Sequence, residues 1–217
     1  MSTQTQHSLR RAGIAFIVGA SITAIGGAVV QGIVQPSTTV SDEMWSYPWS
    51  SDALVPISLL WASAHLLIIA GLLGFRRSGI AGPSRTATVG LTLAVIGTSL
   101  LFVGELASLP FRYQHVDDTG PAIVGGVFGI ATLVSAVGLL MAGKATLRAG
   151  LWTDWRRYTP LFAGLWTLTL VGLALTKALP AAVGIYGLCL LALAIALYTR
   201  PVPSASVRRA ASPVAHP

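Results

Sequence analysis

Apolar residues run along this chain in long unbroken blocks, separated by short polar and charged clusters. Stretches free of Asp, Glu, Lys and Arg cover residues 12–41, 53–75, 86–104, 119–143, 158–176 and 178–199. Each is long enough for a helix that crosses a hydrocarbon core roughly 30 Å thick at about 1.5 Å per residue. Backbone N–H and C=O groups cannot stay unpaired in lipid, and no block alternates apolar and polar positions as a barrel strand does, so the blocks predict helices. These fall near residues 13–34, 56–75, 86–109, 122–143, 159–177 and 181–199. The expected architecture is an all-α, polytopic membrane bundle of six transmembrane helices. Residues 1–11 form a polar, frayed amino-terminal segment, 12–199 a single membrane domain, and 200–217 a disordered basic tail of Pro, Ala, Ser and Arg that suits anionic headgroups.

Composition strengthens the membrane reading. Of 217 residues, 53% are hydrophobic and 10% charged, and the mean hydropathy is +0.73; a soluble fold this apolar would precipitate. The net charge of +7 does not argue for nucleic acid, because the cations sit in clusters between apolar runs rather than along one face. They report orientation instead. Under six spans, Arg10, Arg11, Arg76, Arg77, Arg85, Lys144, Arg148, Arg156, Arg157, Arg200, Arg208 and Arg209 share one side, and only Arg112 and Lys177 take the other. Cationic loops resist translocation, so both termini are expected in the cytoplasm and the bundle in the plasma membrane. A cleaved signal is the competing reading of Arg10-Arg11 before an apolar run, but no small-residue cleavage site follows before five further spans. One cysteine, Cys189, excludes an intrachain disulfide.

Candidate chemistry gathers on the side opposite the cations. The loop from Pro36 to Val55 holds Asp42, Glu43, Trp45, Tyr47, Pro48 and Trp49. It reads either as an interfacial aromatic belt or as a cap over an outward-facing cavity that presents carboxylates and ring faces to a ligand. Glu105 is the one carboxylate inside an expected span, where an ionisable group is expensive unless it faces protein or water. Helical spacing gives it a face shared with Thr98, Phe102, Ser108 and Leu109. It is either an interfacial carboxylate, solvated and inert or paired with Arg112, or a buried acid able to donate a proton. His65, mid-span, shares a face with Ser58 and Trp61 and is either bonded to a neighbouring helix or a relay. Tyr113, His115, Asp117 and Asp118 cluster in a second outer loop; His115 with either aspartate lacks a helix-spaced partner for a metal, and no metal or cofactor is expected. Gly125 with Gly129, and the Ala20, Ala24, Ala28 stripe, permit close helix approach, the glycine pair within the chain or to another subunit.

HExxH, GxSxG, Walker, CxxC and dinucleotide-binding signatures are absent. The segments Trp49 to Gly79 (WSSDALVPISLLWASAHLLIIAGLLGFRRSG) and Trp155 to Trp166 (WRRYTPLFAGLW) resemble those of small actinobacterial multi-pass membrane proteins, most without assigned function. In size, helix count and a membrane-embedded carboxylate the chain is also similar to the small integral-membrane terpene cyclases of meroterpenoid pathways. His115-Val116-Asp117-Asp118 resembles the DxDD motif of protonation-initiated cyclases, with His where that family has its first aspartate.

That resemblance implies an isomerase- or lyase-type enzyme that folds an isoprenoid-like molecule in an outward-facing acidic and aromatic cavity. Glu105, Asp42 and Glu43 would be its acid and base residues, and Trp45, Trp49, Trp61, His65, Phe102 and Tyr113 would bind the substrate. The ligand would be a lipophilic small molecule entering from the membrane lipids. Two other classes stay open: a non-enzymatic structural or regulatory membrane protein, and a small transporter.

Overall fold

The computed structural model describes residues 3–199; the tail expected over 200–217 lies outside the described residues. Helix α1 spans Thr3–Val29 and continues through a π-helical turn, Val30–Val34, into Gln35–Ser37. Helices α2 (Leu54–Ser78), α3 (Arg85–Ser108), α4 (Thr119–Ala149), α5 (Thr159–Leu173) and α6 (Leu179–Tyr198) follow. Five of these, all but the 15-residue α5, are long and apolar enough to cross a membrane. The described residues contain no strand, only an isolated bridge between Met44 and His115.

Two helices outrun their apolar blocks. α1 begins at Thr3 rather than near residue 13, and α4 continues to Ala149 rather than 143. Charge limits how far a helix stays in hydrocarbon, not how far it stays helical, so Arg10, Arg11, Lys144 and Arg148 ride on helical turns beyond the apolar blocks. What stops α2 and α4 is glycine in the left-handed region: Gly79 at φ 70° and Gly150 at φ 62°.

Each helix packs on the next in sequence, and α6 closes onto α1 to complete a ring. Hydrophobicity does not draw helices together inside lipid, so the seams depend on close van der Waals approach at small residues. A Cβ added at Gly138 of α4 would stand 2.3 Å from the Ala94 nitrogen of α3, and one at Gly187 of α6 would stand 2.3 Å from the Ala24 nitrogen of α1. Of the alanine stripe on α1, Ala20 and Ala24 are buried, and Ala24 and Ala28 border Gly184 of α6.

One end of the ring carries Asp42, Glu43, Asp52, Asp117 and Asp118, and the other carries most of the cations. The tightest core lies toward the basic end, where Phe16, Ile68, Leu72, Phe75, Leu139, Leu190 and Leu193 are fully buried and Trp152 stacks on Phe75 at 5.8 Å. Toward the acidic end the bundle loosens. α4 and α5 touch at Gly143 and Gly164, yet Gly129 and Gly172, farther along the same two helices, are exposed with nothing within 4 Å of a would-be Cβ. Among the described residues the Gly125–Gly129 pair therefore meets no helix, and it is the Trp45 ring that reaches Gly125, at 4.0 Å from the would-be Cβ.

Candidate functional site

The loop between α1 and α2 crosses the acidic end and ties its elements together. Trp45 N donates to the Gln114 carbonyl at 2.9 Å and Val116 N to the Glu43 carbonyl at 2.8 Å, which splices this loop to the one between α3 and α4. Tyr113 donates its hydroxyl to Asp52 at 2.7 Å, and Asp42 pairs with Lys177 of the α5–α6 turn at 3.2 Å. The loop is thus a cap whose aromatic and acidic residues hold the helix ends in place.

Several expected site residues belong to this cap. Asp42 and Glu43 are exposed, and among the described residues neither side chain is linked to Glu105 by a hydrogen bond or ion pair. Tyr113 is 59% exposed, with the Arg112 guanidinium over its ring at 4.6 Å. Arg112 also donates to the Leu109 carbonyl at 3.1 Å, and the anticipated Glu105–Arg112 pair is not made. In the His115–Asp118 segment, Asp118 accepts from the His115 backbone N–H at 2.9 Å and closes its own turn. No group of three His, Cys, Asp or Glu side chains that could hold a metal occurs among the described residues.

Below the cap, Glu105 occupies the inward stripe of α3, in register with the buried Leu91, Ala94 and Thr98. It is partly buried, and its polar neighbour is the Ser58 hydroxyl of α2. Ser58 also meets Ser108 at 3.4 Å, and Ser108 donates to the Glu105 backbone carbonyl at 2.7 Å. Ser58 and Ser108 are 2% and 4% exposed, so these two hydroxyls are sealed from lipid within the α2–α3 seam. His65 lies two turns deeper on the same face of α2 as Ser58. Its Nδ1 is buried without a hydrogen-bond partner: the Trp61 carbonyl one turn back is near but not in bonding geometry. Phe102, one turn before Glu105 on α3, is also partly buried.

A second feature lies on the adjacent strip of α2. An apolar groove of about 490 Å3 runs between α1 and α2 and includes Trp49, Trp61, Ile17, Ile25, Val29 and Leu60 in its walls. Ile25 and Leu60 are 63% and 48% exposed, so the groove opens sideways to the membrane. Trp61 lays its six-membered ring against Gly26, where a Cβ would stand 2.8 Å from it; glycine here makes the hollow that the indole enters. Of the expected ligand-binding rings, the structure brings Trp49 and Trp61 together in the groove, leaves Trp45 over α4, and keeps Tyr113 on the cap. The α1 wall of the groove carries no sequence signal, because lipid-facing and groove-facing Ile and Val are indistinguishable in a uniformly apolar helix.

The chain matches no protein-family model, no curated protein and no solved structure.

Proposed function

We propose that this chain is a six-span protein of the plasma membrane, with both termini in the cytoplasm, that takes a lipophilic, isoprenoid-like molecule laterally from the bilayer into its outer half. The observation that carries the binding reading is the sideways-open groove with two tryptophans in its walls; its volume lies in the usual range for ligand sites, which are mostly apolar with few polar groups. Two observations support six spans. α5 is preceded by a short helical turn, Trp155–Tyr158, and the turn after it reaches the acidic cap through Lys177 and Asp42. The arginine and lysine asymmetry supports the orientation.

The test of binding is native mass spectrometry of the detergent-purified protein, followed by titration with a prenyl alcohol carrying a photoreactive group. Cross-links are expected on α1 and α2 around Ile25 and Trp61, and Trp61→Ala is expected to lose most of them. Labelling spread evenly over the lipid-facing helices and indifferent to Trp61→Ala would refute it.

A catalytic version of the same reading draws on Glu105, a partly buried acid with no ion-pair partner among the described residues; it stands outside the walls of the groove, so this version requires the ligand to reach past the α2 strip to it. A protonated carboxyl can deliver H+ to an olefin, the ring faces can hold the carbocation by about 1–2 kcal/mol each, and loss of a proton returns the acid. Glu105→Gln would then abolish formation of an equal-mass cyclised isomer in lipophilic extracts while membrane expression persists; unchanged product would remove Glu105 from the chemistry.

A further inference from the structure

We infer that the groove between α1 and α2 selects a neutral isoprenoid whose head carries a carbonyl oxygen, as in a ketone, ester or quinone, and rejects one that ends in a phosphate or an ammonium group. The inference rests on the lateral-binding reading above and adds the chemistry of the head.

The walls of the groove hold three polar side-chain groups, the Trp49 and Trp61 indole N–H groups and the Ser21 hydroxyl, and no Asp, Glu, Lys, Arg or His. An indole N–H donates and cannot accept, and in apolar surroundings it usually finds a partner. Trp166 of α5 does so, donating to the Ala182 carbonyl at 2.8 Å. Among the described residues the Trp49 and Trp61 indoles have no such partner, and neither nitrogen is fully enclosed as the His65 Nδ1 is. A carbonyl oxygen on a molecule in the groove would supply the missing acceptor.

The head belongs at the outer end. Trp49 is pinned there, because Thr38, just beyond α1, donates to the Pro48 carbonyl at 2.7 Å and Trp49 N donates to the Ser46 carbonyl at 2.8 Å. Trp61 stands seven residues into α2, about 10 Å below its start. Ser21 lies deeper still, five residues before the Gly26 against which the Trp61 ring rests. Val29 and Val30 form the outer part of the α1 wall, where that helix passes into its π-helical turn, a local departure frequent at functional sites. From Val30 down to Ile17 this wall runs about 20 Å, room for a linear prenyl tail.

Charge argues against other heads. The acidic end carries Asp42, Glu43, Asp52, Asp117 and Asp118 against Arg112 and Lys177. Both cations are engaged, Arg112 with the Leu109 carbonyl and the Tyr113 ring and Lys177 with Asp42. A phosphate would therefore enter through a field of its own sign and find no counter-ion in the walls. An ammonium group is drawn to this end, but inside the groove it gives up water with no carboxylate to replace it.

The test is competition against cross-linking of the photoreactive prenyl alcohol to the detergent-purified full chain. Four compounds with the same tail compete: farnesyl-benzoquinone, farnesyl-benzene, farnesyl phosphate and farnesyl-trimethylammonium. A hydrogen bond between neutral groups is worth about fivefold in affinity. The quinone should displace the probe at a concentration at least about fivefold below that of the hydrocarbon, and both charged compounds should be weaker than the quinone. Trp61→Phe keeps an aromatic ring and deletes the N–H. The quinone-to-hydrocarbon ratio, which cancels the change of ring size, should then fall about fivefold, and Ser21→Ala should leave it unchanged. Trp49→Phe gives the same readout should Trp61→Phe not fold. A quinone no better than the hydrocarbon, or a charged compound that displaces the probe best, would overturn the inference and leave the groove a binding site for lipophilic molecules. A ratio lost in Ser21→Ala but kept in both tryptophan variants would put the head at the deep end and overturn it as well. If the probe itself never labels the groove, the binding reading fails and takes this inference with it.

Discussion

The seam between α3 and α4 and the parting of α4 from α5 make opposite demands on two glycines of one helix. At Gly138 a new methyl group would sit 2.3 Å from the Ala94 nitrogen and 2.7 Å from the Gly90 carbonyl oxygen. Both are backbone atoms that cannot swing aside, so Gly138→Ala must push α3 and α4 apart, and overpacking of this kind costs about 1–3 kcal/mol. At Gly129 the same methyl group would meet nothing within 4 Å, and alanine gains about 0.5–1 kcal/mol of helix propensity over glycine. The two single-methyl variants should therefore differ by about 2 kcal/mol in opposite directions around the parent. Thermal unfolding in one detergent, read by near-ultraviolet circular dichroism, checks this: Gly138→Ala should melt several degrees below the parent and Gly129→Ala at or above it. Equal losses at both positions would refute the splayed acidic end. A loss at Gly129 that grows with protein concentration would instead reveal a second subunit seated on that face.

Two further outcomes test the ends of the bundle. Trp152→Ala removes a ring that is 4% exposed and stacked on Phe75, and should destabilise the basic end by about 3–5 kcal/mol, visible as a lower melting temperature with no effect on binding in the groove. Asp42→Ala and Lys177→Ala break an ion pair whose side chains are 58% and 77% exposed, so each should shift stability by less than about 1 kcal/mol; a larger loss in the same melting assay would mean that the cap holds α5 and α6 more firmly than this contact does.

How much of this was legible beforehand follows from what determines each feature. Helices were legible because lipid permits no unpaired backbone, and any long charge-free run must satisfy itself internally. Their ends were less so. The first turns of α1 are polar yet helical, since water accepts a helix that hydrocarbon did not require. Glu105 with Ser108, and His65 with Ser58, were legible as two separate faces because a period of 3.6 residues assigns faces; that Ser58 of one set neighbours Glu105 of the other across two helices was not legible, since periodicity does not say which helices pack together. The failed Glu105–Arg112 pair shows the limit of that reasoning: proximity in sequence does not say that a guanidinium will instead lie over the neighbouring Tyr113 ring. The Gly125–Gly129 pair shows another, because a motif that permits close approach does not name what approaches. The groove was invisible in sequence, as it is made of the same isoleucines and valines that face lipid elsewhere.

The unequal lengths of α4 and α5 carry a mechanical consequence for the surrounding bilayer. With 31 and 15 residues, the neighbours measure about 46 Å and 22 Å, and on the six-span reading the shorter one needs the preceding turn Trp155–Tyr158, about 8 Å more at about 2 Å per residue, to match a hydrocarbon layer of roughly 30 Å. That leaves no length to spare, so in any thicker bilayer lipid must dimple beside α5, at fractions of a kcal/mol for each ångström. The protein should therefore partition into thinner bilayers, and the deformed lipid would sit against the flank where α4 and α5 diverge.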